Sequence, residues 1–178
     1  MSDIHPPFPK VPSLLASTLR VLPLVPLDTA LTMLVRRLVT HHPGLIARLG
    51  TYADCRFAIV PTDLPVTLLL HPHRTAMRVT LHRRPPASDA RIAGPLAALL
   101  GLAHGTWDGD ALFFSRDLVI DGDTAAVLAL RNAIDDSELD LGAEIASLSG
   151  PFGKLLTPLI DLAQRKTGVP LRRAEVNQ

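Results

Sequence analysis

Residues 110–136 read DALFFSRDLVIDGDTAAVLALRNAIDD, and distinct local patterns follow one another within them. A paired aromatic, Phe113-Phe114, opens the run. From Asp117 to Asp121 polar and apolar residues alternate as in a half-covered strand: Leu118 and Ile120 share one face, Asp117, Val119 and Asp121 the other. Gly122 permits a sharp turn, and Asp123 and Thr124 are both helix-capping residues. The helix they would start carries Val127, Leu130 and Ile134 at helical spacing, suited to covering an apolar sheet face. This strand, turn and helix hold no obvious catalytic side chain. They predict an apolar layer between sheet and helix, which suits a lipid pocket and an ordinary core equally.

Working back from that stretch, strands are expected over Cys55–Val60, Val66–Leu70 and Ala76–His82. The last of these sets Met77, Val79 and Leu81 on one face against Arg78, Thr80 and His82 on the other. The links Pro61–Pro65 and His71–Thr75 are hairpin-sized. If the strands form one sheet, Leu68, Leu70, Met77 and Val79 join Leu118 and Ile120 on a common apolar face. Val127, Leu130 and Ile134 would cover it, with Phe113 or Phe114 at its rim. Pro95 suits the first turn of a helix over 95–103.

At the N-terminal end, residues 1–12 read as a flexible, proline-rich arm, and 13–22 as a short helix ended by Pro23. A second helix, capped by Asp28, carries Leu27, Ala30, Leu31, Leu34, Val35 and Leu38 at helical spacing. It should stop near His41-His42, ahead of Pro43-Gly44, with one more turn over Leu45–Leu49. Its apolar stripe (Leu31, Leu34 and Leu38) is bordered by Arg36 and Arg37, the composition of a face that rests on anionic lipid. Beyond Asp136, helices are expected over 141–149 and 154–166, the second stopped by Gly168 and Pro170.

Composition narrows the function. The chain has 178 residues, 47% of them hydrophobic, with a net charge of +1 and a mean hydropathy of +0.25. Near-neutral charge argues against nucleic acid as the partner. The single cysteine, Cys55, excludes an internal disulfide and suits a reducing compartment. The most apolar stretch, Leu14–Val35, is broken by Arg20, Pro23, Pro26 and Asp28, a poor membrane span. No signal peptide is evident: Asp3, Pro6, Pro7 and Pro9 stand where a basic region would.

Catalytic and metal motifs fare poorly. His41, His42, His71, His73 and His82 have no Cys or Glu beside them to complete a zinc set. Asp108-Gly109-Asp110 and Asp121-Gly122-Asp123 lack the ligand ladder of a calcium loop. There is no G-x-S-x-G elbow, and Cys55 has no evident His partner. The expectation is a protein that is not an enzyme, with no metal and no cofactor.

The run Phe113–Asp123 resembles the signature of the sterol carrier protein type 2 family, in which FF-x-x-x-L-x-I-E-G-D precedes the last pocket helix. Asp121 stands where that pattern has Glu. The Asp110–Phe114 opening and the ending Arg131-Asn132-x-Ile134-Asp135 resemble the family's bacterial branch in oxygen-independent ubiquinone biosynthesis. The resemblance is specific over 110–136 and looser over 45–109.

It implies an α+β fold: a twisted sheet of about five strands, one of them over Asp89–Ala93, covered on one face by helices. The domain would span 45–136, flanked by an N-terminal arm and amphipathic helices (1–44) and a C-terminal helical extension (137–178). It further implies a non-catalytic carrier that holds ubiquinone or its prenylated precursors in an apolar tunnel. The carrier would present them to ring-modifying enzymes, including peptidase-like iron–sulfur hydroxylation proteins. It would be cytoplasmic and peripheral to the inner membrane. The residues leave open a carrier of fatty-acyl, sterol-like or phospholipid molecules, and an adaptor without a working pocket.

Overall fold

Five short strands form one sheet in the order β3-β2-β1-β4-β5: β1 Phe57–Pro61, β2 Thr67–His71, β3 Arg78–His82, β4 Ala90–Gly94 and β5 Val119–Gly122. Neighbours are antiparallel except β1 and β4, which are parallel. The computed structural model describes residues 10–21, 23–73, 77–104 and 117–137. Phe113, Phe114 and the helices expected over 141–149 and 154–166 lie outside the described residues.

The register sets one face of the sheet apolar from edge to edge and the other mixed. Val79 and Leu81 pair with Leu70 and Leu68, and these with Phe57 and Ile59. Those in turn pair with Ala90 and Ile92, and Ile92 with Ile120. Directly paired residues project to the same face, so this face is apolar from edge to edge. The opposite face carries Arg78, Thr80, His71, Arg91 and Asp121 around a small apolar centre of Ala58, Val60, Leu69 and Ala93, with Arg91 and Asp121 paired at 2.7 Å.

After a first helix, α1 Ser13–Val21, four helices cover the apolar face: α2 Leu24–His41, α3 Gly44–Leu49, α4 Leu96–His104 and α5 Thr124–Asp135, with a 3-10 turn over Gly50–Asp54. The principal packing sets α2 along β3, and α5 against α3, α4, β4 and β5. Asp123 is the cap of α5, its Oδ1 accepting from Ala126 N at 3.0 Å, and Thr124 is the first helical residue. Gly122 has φ +82°, and a Cβ there would lie 2.4 Å from the Asp89 carbonyl oxygen. Glycine is required at this crossing both for backbone conformation and for space.

Three local expectations change. The fourth strand begins one residue late, because Asp89 is engaged elsewhere: its carboxylate accepts from Arg56 N at 2.7 Å and pairs with the Arg56 guanidinium. The strand also runs one residue past the expected Ala93, to Gly94, where a Cβ would meet Leu118 at 2.6 Å. Asp28 does not cap α2. The helix begins at Leu24 behind an extended Pro23, and the Asp28 carboxylate accepts from the backbone N–H of Leu81 on β3. The arm is tied down where it is described, Val11 N donating to Asp63 Oδ2 at 3.0 Å. The other oxygen of Asp63 accepts from Leu96 N at 2.9 Å, so one carboxylate joins the arm to the start of α4.

Candidate functional site

Among the described residues the helical layer covers two clusters of buried side chains. Under α3, α4 and α5 lies a first cluster: Leu49, Phe57, Ala90, Ile92, Leu99, Leu118, Val127, Leu130 and their neighbours. Under α2 lies a second: Leu34, Leu38, Leu45 and Met77. Ile46, Leu70 and Ile134 pack against both clusters and form the seam between them.

The residues expected to share a face do share it, but at different depths. Met77, Val79, Leu118, Val127 and Leu130 are buried, Val127 completely. Leu68, Leu70, Ile120 and Ile134 are half-buried. One row crosses the sheet as Leu81–Leu68–Ile59–Ile92–Ile120. Within it Leu81 and Ile92 are buried, whereas Leu68 and Ile59, on the two central strands, are half-buried. The half-buried members of this row are therefore Leu68 and Ile59 on the central strands and Ile120 at the β5 end, while Phe57, on the same face of β1, is completely buried. Sequence reasoning missed Ile46, Ile59 and Leu102. Ile59 alternates with Phe57 in its own segment, a visible signal, but only the β1–β2 register shows that it meets Leu68.

A cleft of about 480 Å³ opens beside this seam, lined by Pro43, Ile46, Ala47, Gly50, Thr51 and Ala53. Its size falls within the range of small-molecule sites. Ile46 both lines the cleft and packs against the two clusters, so the cleft reaches the seam through one side chain. The turn that shapes it follows from sequence: Pro43 precedes the short α3, and Gly50, with φ +56°, ends it.

The N-terminal stripe is placed differently from expectation. Leu34 and Leu38 are buried against Leu45 and Met77, and Leu31 packs against the same cluster. They face the protein and are not available to a membrane. The reason is β3: an edge strand with free backbone groups needs a cover, and α2 supplies it through Asp28 and through Thr32, whose hydroxyl donates to the Val79 carbonyl at 3.0 Å. Arg36 is exposed and Arg37 half-buried.

Charged groups near the site do structural work. Hydrogen bonds from Arg56 hold the Asp89 carboxyl below the usual carboxylate range. Burial, and then the nearby charges of Asp89, Asp123 and Asp54, push the Cys55 thiol up, away from the thiolate that a nucleophile requires. Among the described residues, no three His, Cys, Asp or Glu side chains gather as a metal set, and no helix is long and apolar enough to cross a membrane.

A model of the SCP-2 sterol transfer family matches residues 41–135. No curated protein matches the chain in sequence. Among solved structures, one titled "UbiJ-SCP2 Ubiquinone synthesis protein" is similar at 18% identity and TM-score 0.55, covering 66% of this chain and 96% of its own. Sterol carrier protein 2 from Yarrowia lipolytica, in its apo form, is similar at 11% identity and TM-score 0.45, covering 62% of this chain and 91% of its own. The sterol carrier protein domain 2 of Helicoverpa armigera stands at 13% identity and TM-score 0.45, covering 62% and 86%.

Proposed function

The chain belongs to the SCP-2 sterol transfer family, and from that premise we propose that it is a non-catalytic carrier of a hydrophobic lipid. Its cargo is ubiquinone or a prenylated precursor of it. The observation that carries this reading is a sheet face apolar from edge to edge, covered by two helical clusters that meet at Ile46, Leu70 and Ile134, with an open surface cleft of about 480 Å³ that shares Ile46 with them. A closed single core would leave an apolar ligand nowhere to enter.

The energetics suit exchange rather than storage. Each methylene removed from water is worth about 0.8 kcal/mol. A bilayer interior offers a tail nearly the same gain, so cargo moves between protein and membrane with little net driving force. A polyprenyl tail of many units exceeds the cleft, so the carrier engulfs part of the molecule and leaves the rest along apolar surface. The ring end is then presented to modifying enzymes of oxygen-independent ubiquinone biosynthesis, among them peptidase-like iron–sulfur hydroxylation proteins, at the cytoplasmic side of the inner membrane. Two features support the quinone over other lipids. One is the likeness of residues 110–136 to the quinone branch of the family. The other is the shared fold of a solved protein titled for ubiquinone synthesis.

The test is organic extraction of the purified full chain followed by mass spectrometry. Quinone or prenylphenol in stoichiometric yield is expected. Acyl lipid or a sterol-like molecule in its place would overturn the cargo assignment, and an empty protein that also fails to take up added quinone would overturn carriage and leave an adaptor.

A further inference from the structure

We propose that α3 is a hinged lid over the seam between the two clusters, latched by Arg48 on Asp136 at the end of α5. What the lid admits and releases rests on the carrier reading. The lid itself follows from its position, its joints and its latch.

Among the described elements, α3 alone gives a buried side chain to both clusters. Leu45, 5% exposed, belongs to the cluster under α2, and Leu49, 1% exposed, to the other. Ile46, between them in the helix, packs against both, as do Leu70 on β2 and Ile134 on α5. Lifting α3 therefore uncovers both clusters together, along the boundary where they meet.

Each end of this six-residue helix has a joint. Before it lie His42, with φ −122° and ψ 68°, and Pro43, whose nitrogen carries no proton to bond back into α2. After it comes Gly50, with φ +56° and ψ −118°, and nothing lies within 4 Å of where its Cβ would stand. A glycine in open space can change its backbone angles without meeting a neighbour. The cleft straddles this second joint: Pro43, Ile46 and Ala47 line it from the lid side, and Gly50, Thr51 and Ala53 from the turn.

The end bonds of α3 are local: Leu45 N donates to the His42 carbonyl and Gly50 N to the Ala47 carbonyl. Among the described residues, its polar tie to another element is Arg48. The Nε of Arg48 pairs with Asp136 Oδ2 at 3.2 Å, and its Nη1 donates to the Asp136 carbonyl at 3.2 Å. Asp136 is the C-cap of α5, where helix carbonyls attract a cation. The two side chains are 48% and 58% exposed, so water replaces the pair at little cost. The underside of the lid is apolar, and opening exposes Leu45, Ile46 and Leu49 to water unless a lipid covers them. The lid therefore stays shut in water and opens where lipid takes over its contacts.

The experiment uses the full chain in two arms. The first needs no cargo: amide hydrogen exchange in Arg48→Ala and in Asp136→Asn, which breaks the pair from the other side. Exchange at Leu49 and Gly50 should rise about two- to fivefold, the worth of an exposed pair. Phe57 on β1 and Leu130 on α5 should not change, and Arg48→Lys should restore most of the native rate. The second arm closes the latch covalently. Arg48→Cys/Asp136→Cys in a Cys55→Ser chain is joined by a bismaleimide that a reductant cleaves. Uptake of decylubiquinone, a short-tailed quinone, and of a fluorescent fatty acid is timed before and after cleavage. Joining should slow uptake at least about tenfold, and cleavage should restore it. A thermal melt confirms that each variant folds. Unchanged exchange at Leu49 and Gly50 in both variants, an equal rise at Phe57 and Leu130, or equally fast uptake by joined and cleaved protein would overturn the lid. A chain that takes up neither probe in either form refutes carriage, and the exchange arm then decides the lid by itself.

Discussion

The carboxylate of Asp28, in the second turn of α2, accepts a hydrogen bond from the backbone N–H of Leu81 on the edge strand β3. One turn later Thr32 donates to the Val79 carbonyl. Two side chains four residues apart thus stand in for the strand that β3 lacks. They also fix how α2 is rolled, and so decide which stripe is buried and which faces outward.

Asp28→Ala should therefore destabilise the fold by about 1–3 kcal/mol, the range for leaving a partly buried backbone donor unpaired. Asp28→Asn, which keeps an acceptor oxygen, should recover much of that loss. Urea unfolding gives the energies. Amide exchange at Leu81 should speed up in the alanine variant more than exchange at Phe57, which lies in the central strand. Equal stability of Asp28→Ala and the native chain would show that β3 does not depend on α2.

Two glycines separate backbone strain from crowding. Gly50 has φ +56° with nothing within 4 Å of an added Cβ, whereas Gly122 has φ +82° and the Asp89 carbonyl oxygen at 2.4 Å. Gly50→Ala should cost about 1–3 kcal/mol from backbone strain alone, since φ +56° with ψ −118° lies outside the wells open to a residue with a side chain. Gly122→Ala should cost roughly 1–3 kcal/mol more, because the β4–β5 crossing must shift to admit the methyl group. Comparable losses in the two variants, measured by denaturant unfolding, would mean that the crossing relaxes freely.

These elements show how much was legible in the chain. Alternation in Asp117–Asp121 and in Met77–Leu81 found the strands and the apolar face, because a period of two is written into adjacent residues. The cap at Asp123 was legible for the same local reason. Asp28 was misread because a capping residue and an edge-strand partner look alike in sequence: both are acids near a helix start, and only the distance to Leu81 separates them. The amphipathic stripe of α2 was read correctly and assigned to the wrong surroundings. Periodicity says that Leu34 and Leu38 share a side, not what lies opposite. The seam at Ile46, Leu70 and Ile134 joins three segments far apart in the chain, and no local pattern announces it.

Acid should weaken the β1–β4 region through Asp89. Its pKa is lowered in the folded state, chiefly by hydrogen bonds from Arg56. A depressed carboxylate adds stability that is fully present above its unfolded pKa and is lost as pH falls through the folded value. The stability difference between the native chain and Asp89→Asn should thus be constant near neutrality and shrink below about pH 4. Both partners are about 43% exposed, so added salt should reduce the difference at neutral pH. A gap that stays constant down to the acid transition would remove the Arg56 pair as its cause.

The last prediction asks which part of the apolar face holds cargo. Val127 is completely buried within a packed cluster, and Leu130 nearly so. A charge at Val127 leaves an unpaired ion in the core, an effect of about 3–5 kcal/mol, enough to unfold a domain at the low end of the usual stability range of roughly 5–15 kcal/mol. Leu68, Ile59 and Ile46 are half-buried, on the central strands or beside the cleft. At such positions added bulk or polarity can be accommodated while the space it occupies is taken from a ligand. Leu68→Gln and Ile46→Trp should keep a cooperative thermal transition yet lose most extractable lipid, whereas Val127→Asp should not fold. The measurements are thermal unfolding, lipid extraction with mass spectrometry, and uptake of added quinone. Should Leu68→Gln and Ile46→Trp fold and retain native cargo, the seam is not the binding site. Should Val127→Asp instead fold and selectively lose lipid, the wall of the tunnel lies under α5, where the strand-turn-helix pattern of residues 117–134 first placed it.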